Sequence, residues 1–388
     1  MASLVLRSSN ALKHRIIKLA DPSDLTLRTY ELDESVSGDH KPAIGIVDFQ
    51  VDRATVAQDN FSKPLKRMVG EDGRYQEAKK GIVELGEDNP LALDPFLRQL
   101  HKFDDHDFTH IDLKIVWLVL HIADKYIIDL RPLKGWFRDW NDKKGTPTFG
   151  SLSVEDSLKN MCQILYPAYA FNCAKAFLEA TEFVVYHHCY HITESTPLEE
   201  LNLHLPKEVI QQLNSAKGRV RAVLHRDLFG AISPLLAAEC SCKEATFFGY
   251  FKEMFELRVF PFETTFKDIH LHTMTHRLRD FSYEAAETAC TSCKRNYNAV
   301  VSRAASRADG YFDGLCLDCM DASKPKTGDT DDDYWQHNKL KQWDKTCRVN
   351  HGQPTWYFSY MGRREDMRKH QKSTGRWGRK AGEDSDSD

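Results

Sequence analysis

Apolar and polar side chains alternate from Asp24 through Tyr30 (DLTLRTY), which is the period of a half-buried β-strand. The polar run 31–42 (ELDESVSGDHKP) predicts a hairpin loop. Residues 44–51 predict a second strand, with Ile44, Ile46 or Val47, Phe49 and Val51 as core candidates. A short helix is expected from about Arg53, and another over 61–69 with Leu65 and Met68 facing inward. Residues 81–85 (GIVEL) read as a short apolar strand. Asn89-Pro90 marks a helix start, with Asn as N-cap and proline in the first helical position. Leu93, Phe96, Leu97 and Leu100 follow at helical spacing, and Pro95 would delay the start to Asp94. The segment 113–126 is apolar nearly all round and should be buried on most sides. The segment 130–140 closes this unit with Leu133, Trp136, Phe137 and Trp140, and 141–150 (NDKKGTPTFG) has the composition of a linker.

Beyond the linker the period becomes helical. Segments 154–191, 206–228, 247–257, 266–278 and 298–312 all predict helix, the second with Val209, Ile210, Leu213, Val220 and Val223 as its stripe. A polar, acidic loop is expected at 325–333 and an aromatic strand at 356–360. The pattern therefore predicts an α+β unit followed by a mainly α-helical region. The expected division is a leader over 1–20, an α+β domain over 21–145, a helical domain over 150–285, a cysteine-rich lobe over 286–360 and a polar tail over 361–388.

Composition narrows the class. The chain has 388 residues, of which 41% are hydrophobic, enough to bury real cores. A formal net charge of -4 exerts no global pull toward nucleic acid or an anionic membrane. The most apolar run, 111–122, contains Asp112 and Lys114 and is too short to span a bilayer. The N-terminus lacks the apolar core of a secretory signal. It is basic and free of acids until Asp21, a faint transit-peptide pattern. The expected location is cytoplasmic, nuclear or both. Residues 363–380 are basic and the last eight (AGEDSDSD) acidic, which suits a solvated tail, an import signal or a phosphate contact.

Several local strings carry a family likeness. They are Asp24-Leu25-Thr26-Leu27, then Phe49-x-Val51-Asp52-Arg53 with Val56, then Val83-Glu84-Leu85 ahead of Phe96-Leu97-x-x-Leu100-His101. Val119-x-x-Ile122-Ala123-Asp124-Lys125-Tyr126 with Leu130 and Trp136 follows. In this order and spacing they resemble the BTB/POZ domain, in the version found in filamentous fungi. Gly314-Leu315-Cys316-Leu317-Asp318-Cys319 and Cys240-x-Cys242 are similar to the same fungal group. The resemblance implies a non-enzymatic protein–protein interaction module: a homodimer, an oligomeric scaffold or co-regulator, or an adaptor for a cullin-type ligase. It also implies that Asp24 and Arg53 line a charged pocket at the subunit interface, against the plainer alternative of two solvated charges.

The strongest chemical signal lies in the cysteines. Seven of the ten fall between Cys240 and Cys347, six of them in close pairs, while Cys162, Cys173 and Cys189 stand singly in apolar stretches. Without a secretory signal, such pairs point to metal rather than disulfides. A Cys-x-x-Cys turn sets two thiolates on one side, two corners of a tetrahedron around zinc. Cys290/Cys293 and Cys316/Cys319 are two such turns, Cys240/Cys242 adds two thiols, and Cys347-x-x-x-His351 a Cys/His pair. These eight ligands would fill one or two structural zinc sites, with the pairing left open; the alternative is eight ordinary side chains. His187-His188-x-x-His191 and His270-x-His272-x-x-x-His276 lack the glutamate base of a His-Glu-x-x-His metal enzyme. No phosphate loop, nucleophile elbow or kinase signature occurs. A nucleic-acid-binding zinc protein is the main alternative function, ahead of a metal-dependent enzyme.

Overall fold

The computed structural model describes residues 12–33, 35–36, 41–58, 60–70, 79, 81–103, 107–145, 153–198, 201–318, 320 and 347–349. Two compact units emerge. The first comprises residues 1–151, 166–173 and 196–203, and the second 152–165, 174–195 and 204–388.

Unit one holds a mixed sheet built from β1 (Lys13–Lys18), β2 (Leu25–Leu32), β3 (Ala43–Val51) and β4 (Ile82–Glu84), in the order β1-β3-β2-β4. β2 and β3 form the expected antiparallel hairpin, β1 lies parallel to β3, and β4 parallel to β2. The segment expected to be a leader therefore contains a strand. Its side chains are almost all exposed, so backbone pairing with β3 forms it and no alternating pattern advertises it. Leu25, Leu27 and Thr29 point inward from β2, and Val47, Phe49 and Val51 from β3. That phase turns Ile44 outward, 45% exposed, so it is not the core residue the pattern suggested. On the same sheet Asp48 is buried yet polar. It accepts Arg28 Nε and Nη2, both at 2.8 Å, and pairs with His14 Nε2 at 2.8 Å. The fork of Arg28 holds its carboxyl below the usual range.

Five α-helices, α1 to α5, follow among the described residues, the first four begun by a side-chain cap. α1 (Arg53–Val56) is capped by Asp52, which accepts the Thr55 N–H. α2 (Lys63–Val69) is capped by Ser62, whose hydroxyl also donates to the Tyr126 carbonyl at 2.6 Å. α3 (Pro90–Leu100) is capped by Asn89, which accepts the N–H groups of Leu91 and Ala92. Pro95 lies inside this helix and does not delay its start: the double cap and the buried Leu93, Phe96 and Leu97 outweigh one lost backbone bond. α4 (Leu113–Tyr126) starts at Asp112 and buries most of its circumference, as its composition predicts. α5 (Lys134–Trp140) follows a single 3-10 turn, and its Trp140 Nε1 donates to the Ile111 carbonyl at 3.0 Å. Asp88, buried, accepts Lys125 Nζ at 2.7 Å and the Tyr126 hydroxyl, which ties the end of α4 to the loop before α3.

The helix α6 (Val154–Ala170) contributes residues 154–165 to unit two and 166–170 to unit one. Unit two is otherwise helical: α7 (Ala174–His187), α8 (Lys207–Phe229), α9 (Ser233–Leu236), α10 (Lys243–Glu256), α11 (Phe262–Asp268), α12 (Leu271–Leu278) and α13 (Tyr297–Asp309). α13 packs on α8 and α12, and α7 on α8 and α12. The expected helix over 266–278 is broken at Ile269 and His270, both extended, so α11 and α12 are separate. Residues 308–315 are tied to α7 by buried hydrogen bonds. The Tyr186 hydroxyl donates to the Ala308 carbonyl at 2.8 Å and accepts the Phe312 N–H at 3.1 Å, while Thr181 Oγ1 accepts the Leu315 N–H at 2.8 Å. The architecture is thus mixed α and β, with the sheet confined to unit one among the described residues. No helix among them is long and apolar enough to cross a membrane. The expected acidic loop, aromatic strand, basic run and acidic tail lie outside the described residues.

Candidate metal centre

Cys240 and Cys242 sit in the turn between α9 and α10. Cys242 is the residue before the first turn of α10, and its carbonyl accepts both the N–H and the hydroxyl of Thr246, each at 3.1 Å. Cys290 and Cys293 lie in a tight turn ahead of α13, in which the N–H groups of Cys293 and Lys294 donate to the Cys290 carbonyl at 3.0 and 2.9 Å. The two turns face each other. The four sulfurs lie within 4.8 Å of one another, and Cys240 and Cys293 are 3.6 Å apart. Four sulfurs bound at ~2.3 Å to a tetrahedral ion stand about 3.8 Å apart, so the spacing fits a tetrathiolate metal site. It does not fit a disulfide, which needs about 2.05 Å, and all four thiols are free. Leu235, Phe247, Ala285 and Ala289 pack around the group and leave it a partly apolar shell.

The thiols differ in acidity. The Cys293 N–H and the neighbouring Cys240 thiol favour the Cys290 thiolate and draw its pKa down to about 6. Burial pushes the Cys293 thiol up, to about 12. The Cys290 N–H also donates to Cys242 Sγ at 3.4 Å. Thiolates gathered in one cluster repel one another. A divalent cation among the four removes that repulsion.

A second group joins Cys316, Asp318 and Cys347, also within 4.8 Å. The Arg348 N–H donates to Asp318 Oδ2 at 2.7 Å and Arg348 Nε to Oδ1 at 2.8 Å, so both carboxylate oxygens are held by the residue after Cys347. Cys319 and His351 lie outside the described residues. Of the pairings the sequence leaves open, the structure thus closes Cys290/Cys293 on Cys240/Cys242 and brings Cys316 to Cys347. Asp318 was not among the candidate ligands; its place inside the Cys316-x-x-Cys319 string was the available signal.

Asp24 and Arg53 are neighbours. The exposed Asp24 carboxylate accepts the backbone N–H of Arg53 at 2.8 Å, and Arg53 Nη1 donates to the Val69 carbonyl at 2.6 Å. The two histidine strings also meet. The His187 ring stacks on Phe183 at 3.9 Å and lies 4.9 Å from His272, its Nδ1 donates to the Phe183 carbonyl, and Cys189 Sγ lies 3.2 Å from His270 Nδ1. Burial draws the His187 pKa down to about 4. Among the described residues, however, only the two cysteine groups bring three or more ligand atoms within 4.8 Å of one another. Comparison of the chain with protein-family models, with curated proteins and with solved structures finds no match in any of the three.

Proposed function

We propose that the chain is a non-enzymatic protein–protein interaction module whose helical unit is stapled by structural zinc. The observation that carries the zinc reading is the convergence of Cys240, Cys242, Cys290 and Cys293, whose thiols come from two short turns separated in sequence. Zinc is the favoured ion because a four-thiolate tetrahedron suits a soft, geometry-indifferent cation and an intracellular fold. A site with four protein thiolates keeps no open position for a catalytic water, so the role is architectural. Cys316 and Cys347, with Cys319 and His351, are the ligands proposed for a second ion. In that site Asp318 serves to orient, since Arg348 already engages its oxygens.

The interaction role rests on unit one. Its order is an antiparallel hairpin, two short helices, a strand parallel to the hairpin's first strand, then three helices. That order supports a BTB/POZ-like domain of the fungal type, self-associating or serving as a cullin-type adaptor, with Asp24 and Arg53 on its interface. Two measurements test the reading. Elemental analysis of the metal-replete full chain should give one or two zinc ions per chain; less than half an equivalent overturns the staple. Light scattering at tens of micromolar should give twice the 44.7 kDa chain mass, and a strict monomer removes self-association.

A further inference from the structure

A depression of about 540 Å³ opens between the C-terminal end of α8 and the face of α13, beside the Cys290–Cys293 turn. Its rim carries four guanidinium groups, Arg226, Arg295, Arg303 and Arg307, against a single carboxylate, Asp227. Asp227 takes Arg226 Nε at 3.3 Å and Arg307 Nη1 at 3.4 Å, so it holds two of the arginines side by side without neutralising the set. Arg303 is anchored through Nε to the Ala299 carbonyl at 3.1 Å. The floor is made of small aliphatic residues such as Ala304 and, among the described residues, includes no aromatic ring.

We propose that this depression binds a phosphorylated side chain on a peptide partner. Arginine, whose planar fork matches phosphate oxygens two at a time, supplies all four rim cations, and no lysine does. The guanidinium groups surround one depression, which suits a single compact dianion. The absence of an aromatic ring from its lining removes the stacking platform that single-stranded nucleic acid uses. A backbone bearing one phosphorylated serine or threonine can lay that group among the arginines and its aliphatic carbons on the floor. The site shares no residue with the four thiols, although Arg295 follows Cys293 by two residues and α13 begins just after that turn.

The test is fluorescence anisotropy on the zinc-replete full chain. The probe is a labelled phosphoserine peptide, compared with its unphosphorylated form and with a 20-base-pair DNA duplex. The phosphopeptide should bind at least about tenfold more tightly than its unphosphorylated form, the scale of one or two charge-assisted hydrogen bonds. The double substitution Arg295→Ala and Arg303→Ala should abolish that difference without changing zinc content or melting temperature, because both residues are exposed. Arg303→Lys, which keeps charge but loses the fork, should restore only part of it. Equal binding of the two peptides, unchanged binding by the double variant, or a steeply salt-dependent preference for the duplex overturns the proposal.

Discussion

The staple can be weighed by removing one of its corners. In Cys290→Ser a neutral hydroxyl replaces a thiol whose pKa is drawn down, at a position whose N–H already touches Cys242 Sγ. Cys242 and Cys290 are 48 residues apart in sequence. A cross-link closing a loop of that size removes about 4 kcal/mol of chain entropy from the unfolded state. A metal joining the two turns does the same work as long as it stays bound, so its loss should shift the folding equilibrium of unit two about a thousandfold. The substituted chain should retain less zinc than the wild type after desalting. Its far-ultraviolet circular dichroism should melt at lower denaturant, and a strong chelator should bring the wild type down to the same midpoint. Cys162→Ser is the control: a lone buried thiol in α6 becomes a hydroxyl, costing about 1–3 kcal/mol with no change in metal. If Cys290→Ser keeps full zinc, or if chelation leaves the wild-type midpoint unmoved, the four thiols are packing residues and the staple does not exist.

Three other outcomes are expected. Tyr186→Phe removes the acceptor of the buried Phe312 N–H and one donor to the Ala308 carbonyl, which keeps the Tyr311 N–H at 3.2 Å, and should cost about 1–3 kcal/mol in urea unfolding; a loss below half a kcal/mol would contradict the pairing. Gly314→Ala should destabilise by about 3 kcal/mol or more, because its φ is +94° and a Cβ would meet the Leu178 carbonyl oxygen at 2.2 Å, backbone that has no rotamer to yield. Partial burial against Phe183, His270 and His272 draws the half-buried His187 down to about 4, below its unfolded value near 6.5. Its neutral form is favoured by folding, so the stability it lends is complete above pH ~6.5 and declines as pH falls toward 4, by about 2 kcal/mol at pH 5. His187→Gln should flatten that acid slope, and an unchanged slope would show that another group carries it.

Where side-chain pattern dictates the element, the sequence was readable. The Asn89-Pro90 start, the all-round apolar α4 and the alternation of β2 follow from rules that act within a few residues. β1 shows no such pattern, because an edge strand needs only backbone groups from its neighbour. Ile44 failed as a core residue for a related reason: on a strand with apolar residues on both faces, composition cannot choose the phase, and the inward run Val47, Phe49 and Val51 decided it. The candidate ligands were legible as types and not as partners. Two Cys-x-x-Cys turns look alike on paper, yet the turn at 290–293 faces the one between α9 and α10. Long-range packing sets that choice, and no local spacing encodes it.

That pairing has a mechanical consequence. The group lies at the starts of two helices: Cys242 immediately precedes α10, and Cys290 and Cys293 lie just ahead of α13, which begins at Tyr297. Local capping differs at the two starts. α10 has no side-chain cap hydrogen bond at Cys242, and the cap of α13 is a single acceptor, Asn296, to the Ala299 N–H at 2.9 Å. An ion gripping both turns would therefore supply the positional restraint that caps give elsewhere in the chain. It would also fix the entry of α13, the helix whose arginines rim the depression beside α8. On this argument the staple and the arginine rim are linked through the seven residues from Cys290 to Asn296, because the first turn of α13 can only be as well placed as the thiols that precede it.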